Sequence, residues 1–392
     1  MNKNIPYGRQ CISDEDIDAV VAVLRSDWLT QGPVVPAFEK AVAARVKAQY
    51  AVAVNSATAA LHIACLALEV GSQDQVWTVP NTFVASANCA RYCGASVDFV
   101  DIDPDTLCMS VSMLAEKLAQ HQRLGKPLPK VVIPVHFGGQ SCDMQGIAAL
   151  AGHYGFRVIE DASHAIGATY QGQPVGCGRF SDITVFSFHP VKIITTGEGG
   201  MAVTNDAKLG ERMRQLRSHG ITRDEAHMMM KPPASWYYEQ QMLGMNYRLT
   251  DIQAALGLSQ LTSLDGFIKC RQQVAADYDA ALSSLPVRCQ SVPEDTASAR
   301  HLYVIRIEAS SRDALFDRLQ SAGIGVNVHY FPVHLQPYYQ AQGFAVGDYP
   351  QAERYAMEAI SLPLFPTLSA EDQNFVIHTL SLALKNRVAE AA

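Results

Sequence analysis

Between about residues 50 and 220 the chain alternates short apolar runs with helical patterns, and this alternation limits the fold more than any other feature. Residues 50–54 read as a strand and 59–68 as a helix. The unit then repeats. Residues 75–79 read as a strand, 84–92 as a helix, 96–100 and 130–135 as strands, 144–153 as a helix, and 157–161 and 183–188 as strands. Residues 200–204 can return beside 183–188. Short apolar runs rich in Val and Ile suit strands buried on both faces, with the helices as crossovers. The pattern predicts an α/β fold with a mostly parallel central sheet covered on both sides. Such sheets bind ligands beyond the carboxyl ends of their strands, so the residues that follow each strand are the first candidates for chemistry.

The flanks are less regular. Ser13 can cap a short helix whose first turn holds Glu15 and Asp16, with Ile17, Val20, Val21 and Leu24 as its apolar stripe. Residues 29–33 (Leu-Thr-Gln-Gly-Pro) read as a turn. After Leu249-Thr-Asp-Ile-Gln253 one long amphipathic helical region runs toward Leu285. It divides the chain into 1–255, an N-terminal arm plus the large domain, and 256–392, a linking helix plus a smaller C-terminal α/β domain. That domain has a strand at 301–307 and a helix at 312–322. Residues 222–238, with three consecutive methionines and two prolines, are irregular: a lid, a subunit contact or a plain surface loop.

Composition narrows the function. The chain has 392 residues and a formal charge of -7, with no basic patch of the kind nucleic-acid binders carry. The start, Met1-Asn-Lys-Asn-Ile-Pro-Tyr7, lacks the apolar core of a signal peptide, and no apolar run is long enough to span a bilayer. The nine cysteines are scattered, and Cys89 and Cys93 lack partners for a zinc set. The expectation is a cytoplasmic protein with reduced thiols, no metal, no nucleic acid and no membrane.

The stretch Val185-Phe-Ser-Phe-His-Pro-Val-Lys192 followed by Gly197-Glu-Gly-Gly200 is the most informative. An apolar strand runs into Pro190, which has no N–H to continue pairing, and the glycines permit unusual backbone angles. Lys192 is thus placed at a strand end facing a cleft. A desolvated lysine loses its proton more readily and attacks carbonyls. Asp161 ends another strand, followed by His164. Either could be structural, Asp161 in a turn and His164 in the core wall. Asn55-Ser-Ala-Thr58 joins a strand to a helix start, where free N–H groups suit a phosphate, although Ser56 or Thr58 could simply cap the helix. Phe83 sits in a strand-to-helix turn, where it could lie on a flat ring or pack in the core.

Together these describe one cofactor. Pyridoxal phosphate (PLP) needs a lysine for its aldehyde, a carboxylate for its pyridine nitrogen, a phosphate cradle and a flat group over the ring. Lys192, Asp161, residues 56–58 and Phe83 match those roles.

The motifs Asn55-Ser-Ala-Thr-Ala-Ala-Leu61, Glu160-Asp-Ala-Ser-His164, Ser187-Phe-His-Pro-Val-Lys192, Gly197-Glu-Gly-Gly200 and Gly244-Met-Asn-Tyr-Arg248 make the chain resemble the DegT/DnrJ/EryC1/StrS family of PLP-dependent sugar-nucleotide aminotransferases. That family has the aspartate-aminotransferase (type I) fold. The resemblance runs from Leu29-Thr-Gln-Gly-Pro33 to Pro332-Val-His-Leu-Gln-Pro337, and is strongest to the branch that makes the 4-amino group of the pseudaminic acid precursor. It implies that Lys192 carries the cofactor and that Asp161 binds the pyridine nitrogen. It places His164, often Gln in relatives, beside the ring hydroxyl and Phe83 on the ring. Ala57, Thr58 and Ser187 would hold the phosphate, with Asn246 from the other subunit of a homodimer with shared active sites. His329, with Tyr7, His189 and Tyr330, would face the sugar nucleotide. The implied reaction moves an amino group from L-glutamate, through pyridoxamine phosphate, to a UDP-linked 4-keto-6-deoxy sugar. Sugar dehydratases that resemble this family have His in place of the lysine, which Lys192 argues against. Transfer to a different keto sugar, or a non-catalytic binding protein of the same fold, are the other readings.

Overall fold

The computed structural model describes residues 4–390, side chains of 385–390 excepted; the first three and last two residues of the two expected domains lie outside the described residues. Its centre is a seven-stranded sheet. The strands are β1 (Tyr50–Val54), β2 (Gln75–Thr78), β3 (Ser96–Phe99), β4 (Val131–Ile133), β5 (Arg157–Asp161), β6 (Ile183–Ser187) and β7 (Gly200–Thr204). Their order is β1-β7-β6-β5-β4-β2-β3. All run parallel except β7, which is antiparallel to β1 and β6. The strands of the middle of the sheet are almost wholly buried, which is why they read as continuous apolar runs rather than alternating ones. The chain thus has the expected α/β fold, with a mostly parallel sheet and a small C-terminal domain.

Helices cover both faces. They are α1 (Asp14–Leu24), α2 (Val34–Val46), α3 (Ala57–Ala67), α4 (Ala85–Tyr92), α5 (Val111–Arg123), α6 (Met144–Tyr154) and α7 (Ala207–Arg217). One core gathers α3, α4 and α6 on one side of the sheet; the other packs Phe38 of α2 against Phe188, ring centroids 5.2 Å apart. Helices α2, α5 and α7 were not anticipated. The first is Ala- and Val-rich throughout, and its start after Pro33 is capped not locally but by Asp251, which accepts from the Val34 and Val35 N–H groups at 3.2 and 3.0 Å.

The long helix expected after Leu249 is two helices, α8 (Asp251–Thr262) and α9 (Leu264–Leu282). At the break Thr262 Oγ1 donates to the Ser259 carbonyl and the Ser263 N–H bonds three residues back to Gln260, tightening the turn. Beyond it, β8 (Arg288–Cys289), β9 (Tyr303–Arg306) and β10 (Ala359–Leu362) form a small antiparallel sheet, backed by α10 (Ala309–Ser321) and the C-terminal helix Ala370–Glu390. This third core also takes in Ile5. The arm is tied there: the Gly325 N–H donates to the Ile5 carbonyl at 2.6 Å and the Leu364 N–H to the Tyr7 carbonyl at 3.0 Å.

The apolar stripe expected on α1 is only partly covered, with Val20 and Val21 half-buried. Ile17 and Leu24 are 52% and 54% exposed. The buried side is Asp16 and Val23; Asp16 accepts from Gln260 of α8 at 2.5 Å and completes a capping box with Ser13. Among the described residues no helix is long and apolar enough to cross a membrane, and no cluster of His, Cys, Asp or Glu could hold a metal.

Candidate active site

A cavity of about 1000 Å³ opens at the carboxyl ends of β1, β5 and β6. Eleven of the residues singled out from the sequence line it: Tyr7, Ala57, Thr58, Phe83, Asp161, His164, Ser187, His189, Lys192, His329 and Tyr330. Asn246 does not. It is exposed, bridged through its backbone to Ser218.

The α3 N-terminus forms one wall. Ser56 caps it in an extended conformation and accepts from the Ala59 N–H at 3.1 Å. Ala57 and Thr58, in the first turn, have no carbonyl one turn back to bond, and their amides carry the positive end of the helix. The reversed strand β7 begins against this turn at Gly200. A Cβ there would lie 2.5 Å from the Ala57 nitrogen, so only glycine allows the approach. The result is an amide-lined helix start whose partial positive charge suits a phosphate.

Strand alternation aims the two carboxylates of β5 apart. Glu160 turns away from the cavity to His136, 2.7 Å from its ring nitrogen, and also accepts from Ser181 and Thr184. Asp161 faces the cavity. Its Oδ2 accepts from Ser86 Oγ at 2.6 Å, and its Oδ1 accepts from the Ser163 N–H at 3.1 Å and Ser163 Oγ at 2.5 Å. Ser86 is itself bonded to Thr82 at 2.8 Å. A carboxylate held by these neutral donors still has room to accept from a ring N–H.

Lys192 follows β6 in a turn closed by its own N–H, which donates to the His189 carbonyl at 2.9 Å. Burial pulls its amine down from 10.5 to about 8, against the opposing pull of the Asp161 charge. His164 is buried: its Nε2 lies 3.1 Å from the Tyr330 hydroxyl and its Nδ1 has no partner. Burial first, then Lys192 and His329, push it well below the usual imidazole range. Phe83 is 59% exposed at the cavity, which removes core packing as its role.

The far wall comes from the C-terminal part of the chain. The Tyr330 N–H donates to Asn81 Oδ1 at 3.1 Å and the Val333 N–H to the Pro80 carbonyl at 2.9 Å, drawing His329 and Tyr330 over the turn after β2. The rings of Tyr7 and His329 are 5.4 Å apart. Thr82, Ser86, Ser163, His301 and Asn327 also line the site and escaped sequence reasoning. For Ser86 a signal existed, since it stands at the start of α4 just past the Pro80 turn. His301 and Asn327 reach the site only through tertiary packing.

An amine with a lowered proton affinity, a fixed carboxylate, an amide cradle and an unpartnered imidazole nitrogen fit the four polar ends of PLP: aldehyde, pyridine nitrogen, phosphate and ring hydroxyl.

The DegT/DnrJ/EryC1/StrS aminotransferase family model matches residues 10–381. The spore coat polysaccharide biosynthesis protein SpsC of Bacillus subtilis (strain 168) is 40% identical over 386 residues, 97% of each chain. Among solved structures, PseC of Helicobacter pylori, an aminotransferase of pseudoaminic acid biosynthesis, superposes with a TM-score of 0.89 at 31% identity, over 98% of this chain and 100% of that one. Spr1654 of Streptococcus pneumoniae in its pyridoxamine phosphate (PMP) form has the same TM-score, identity and coverage, and is also known in a PLP form.

Proposed function

The chain belongs to the DegT/DnrJ/EryC1/StrS aminotransferase family and is a PLP-dependent sugar aminotransferase; from that premise we propose that it moves the amino group of L-glutamate to C4 of UDP-2-acetamido-2,6-dideoxy-β-L-arabino-hex-4-ulose. The product is UDP-4-amino-4,6-dideoxy-N-acetyl-β-L-altrosamine, for pseudaminic acid biosynthesis. Lys192, desolvated beside Asp161 in the cavity, carries the amino-transfer chemistry of this reading. The choice of sugar rests on the likeness to PseC and on the run Ser187-Phe-His-Pro-Val-Lys192.

PLP, when bound, supplies a carbonyl for amines and a ring that accepts electrons from the bond being broken. Asp161, fixed by Ser86 and Ser163, would hold the pyridine nitrogen in its protonated form. The first turn of α3 (Ala57 and Thr58) and Ser187 would hold the phosphate, and Asn246 of a second subunit would complete that grip. Phe83 would cover the ring and His164 would meet its hydroxyl. Lys192, able to shed its proton near neutral pH, takes a proton from Cα of L-glutamate and later delivers one to C4 of the sugar. Tyr7, His189, His329 and Tyr330 line the side open to the sugar nucleotide. The exposed apolar residues of α1 and the following turn, Ile17, Leu24, Trp28 and Leu29, are the surface a second subunit would cover.

The higher identity to SpsC favours a second reading, transfer to another nucleotide-linked keto sugar. A panel of UDP-4-keto-6-deoxy-N-acetylhexosamines incubated with L-glutamate and followed by mass spectrometry separates them. The proposal expects the L-arabino sugar to be aminated fastest. Amination of a different sugar only would move the enzyme to another pathway. For shared sites, mixing Lys192→Ala with Asn246→Ala subunits should change activity on exchange; no change counts against them.

A further inference from the structure

His329 lines the cavity on a segment bound to β10. Asn327 and Ser361 face each other as an antiparallel bridge, with the Ser361 N–H donating to the Asn327 carbonyl at 2.7 Å. Three side-chain contacts then define the ring. Asn327 Oδ1 accepts from the Val328 N–H at 2.8 Å, which makes the amide's other end, the donor Nδ2, the one facing His329 Nε2 at 3.4 Å. A donor at that place requires a lone pair on Nε2. In a neutral ring the proton is then on Nδ1, where Ser361 Oγ stands 2.8 Å away to accept it. The other tautomer would set an N–H against an NH₂. Ser361 is fully buried, so water does not compete for its hydroxyl.

From this geometry we infer that Ser361 and Asn327 hold His329 as the neutral Nδ1–H tautomer, so that the Nε2 lone pair, met only at 3.4 Å by Asn327 Nδ2, passes to a hydroxyl or acetamido N–H of the sugar when it binds. The inference rests on the keto-sugar reading and states which half of the reaction His329 serves. A diphosphate and the carboxylates of glutamate offer only acceptors, and an Nε2 without a proton gives them nothing. Ser361 and Asn327 are positioning residues for this contact. The titratable groups around the ring are Lys192, His164, His301, Tyr7, Tyr330 and Tyr355, whose hydroxyl donates to the His329 carbonyl at 2.6 Å. Burial, then the Lys192 charge, bring His329 down to about 4, so it stays neutral at working pH.

Long-range ¹H–¹⁵N spectra of the holoenzyme labelled with ¹⁵N-histidine read the tautomer without catalysis. His329 is assigned by its loss in His329→Gln, or in His329→Phe if the first does not fold. The expected result is a protonated Nδ1 and a bare Nε2 between about pH 5 and 8, with Nε2 shifting when UDP-N-acetylglucosamine is added. An imidazolium at neutral pH, or an Nε2–H ring, overturns the inference. Ser361→Ala should lose the tautomer preference and raise KM for the keto sugar about tenfold. The half-reaction with glutamate, followed by cofactor absorbance, should change less than about twofold. Equal losses in both halves, or none, also overturn it. Amino transfer with the wrong tautomer sinks this inference alone, whereas the right tautomer without amino transfer to any keto sugar sinks the functional reading.

Discussion

Replacing Asp161 tests the electrostatic account of Lys192, because burial and the Asp161 charge act on the amine in opposite senses. Burial lowers the lysine from 10.5 to about 8, and the Asp161 charge resists that fall. A shift of this size costs the charged amine about 3 kcal/mol. At pH 7 about a tenth of Lys192 is neutral, against about one in three thousand for an ordinary lysine, a gain of about three hundredfold in reactive amine. The sign for stability follows. Below about pH 8 the buried amine is charged and the cost is present in full. Between about 8 and 10.5 the folded amine is neutral while the unfolded one still binds its proton, so cofactor-free protein gains stability as pH rises through that window. Asp161→Asn removes the charge that favours the ammonium, so the midpoint should fall below that of the wild type. The assay is trace acylation of cofactor-free protein with acetic anhydride over a pH series, with the Lys192 peptide quantified by mass spectrometry; only the neutral amine reacts. A wild-type midpoint near 10.5, or one that rises in Asp161→Asn, would refute the reasoning.

Other residues give sharper local tests. Gly200→Ala puts a Cβ 2.5 Å from the Ala57 nitrogen and should cost about 1–3 kcal/mol while weakening cofactor binding; thermal unfolding and PLP titration check both, and an unchanged protein would mean the β7–α3 approach is slack. Ser86→Ala removes the donor to Asp161 Oδ2 and should weaken PLP about tenfold, measured by fluorescence titration, with no change counting against its positioning role. Cys93 should be the first thiol alkylated by iodoacetamide: the hydrogen bond from Cys65, and less so His62, bring it to about 6 despite burial. Its rate should plateau above that pH and drop in His62→Phe. Uniform labelling of the cysteines would contradict this.

What could be read from the sequence was local. Strand ends are marked by a change from apolar runs to Pro, Gly, Ser and Asn, and the site residues Asp161, Ser187 and Lys192 stand at or just after such marks. Glycine 200 carried a backbone requirement that its partner, the α3 N-terminus, makes plain only in three dimensions. The misses are relational. The α1 stripe looked like a core face because periodicity reports an apolar side, not what covers it. Asp16 was buried instead because Gln260, far along the chain, meets it. The break at Ser263 has no proline or glycine to announce it, only a threonine bonding back to its own helix. His301, Asn327 and Ser361 sit in strands and turns of another unit, and nothing in their neighbours says that packing delivers them to the cavity or its wall.

The central claim is amino transfer through Lys192 to a nucleotide sugar. The most direct measurement incubates wild type and Lys192→Ala with ¹⁵N-labelled L-glutamate and the L-arabino keto sugar, and weighs the nucleotide-sugar product. The label should appear in a 4-amino sugar, with 2-oxoglutarate formed in equal amount, from the wild type alone. Unlabelled product, or label transferred equally well without Lys192, would contradict it.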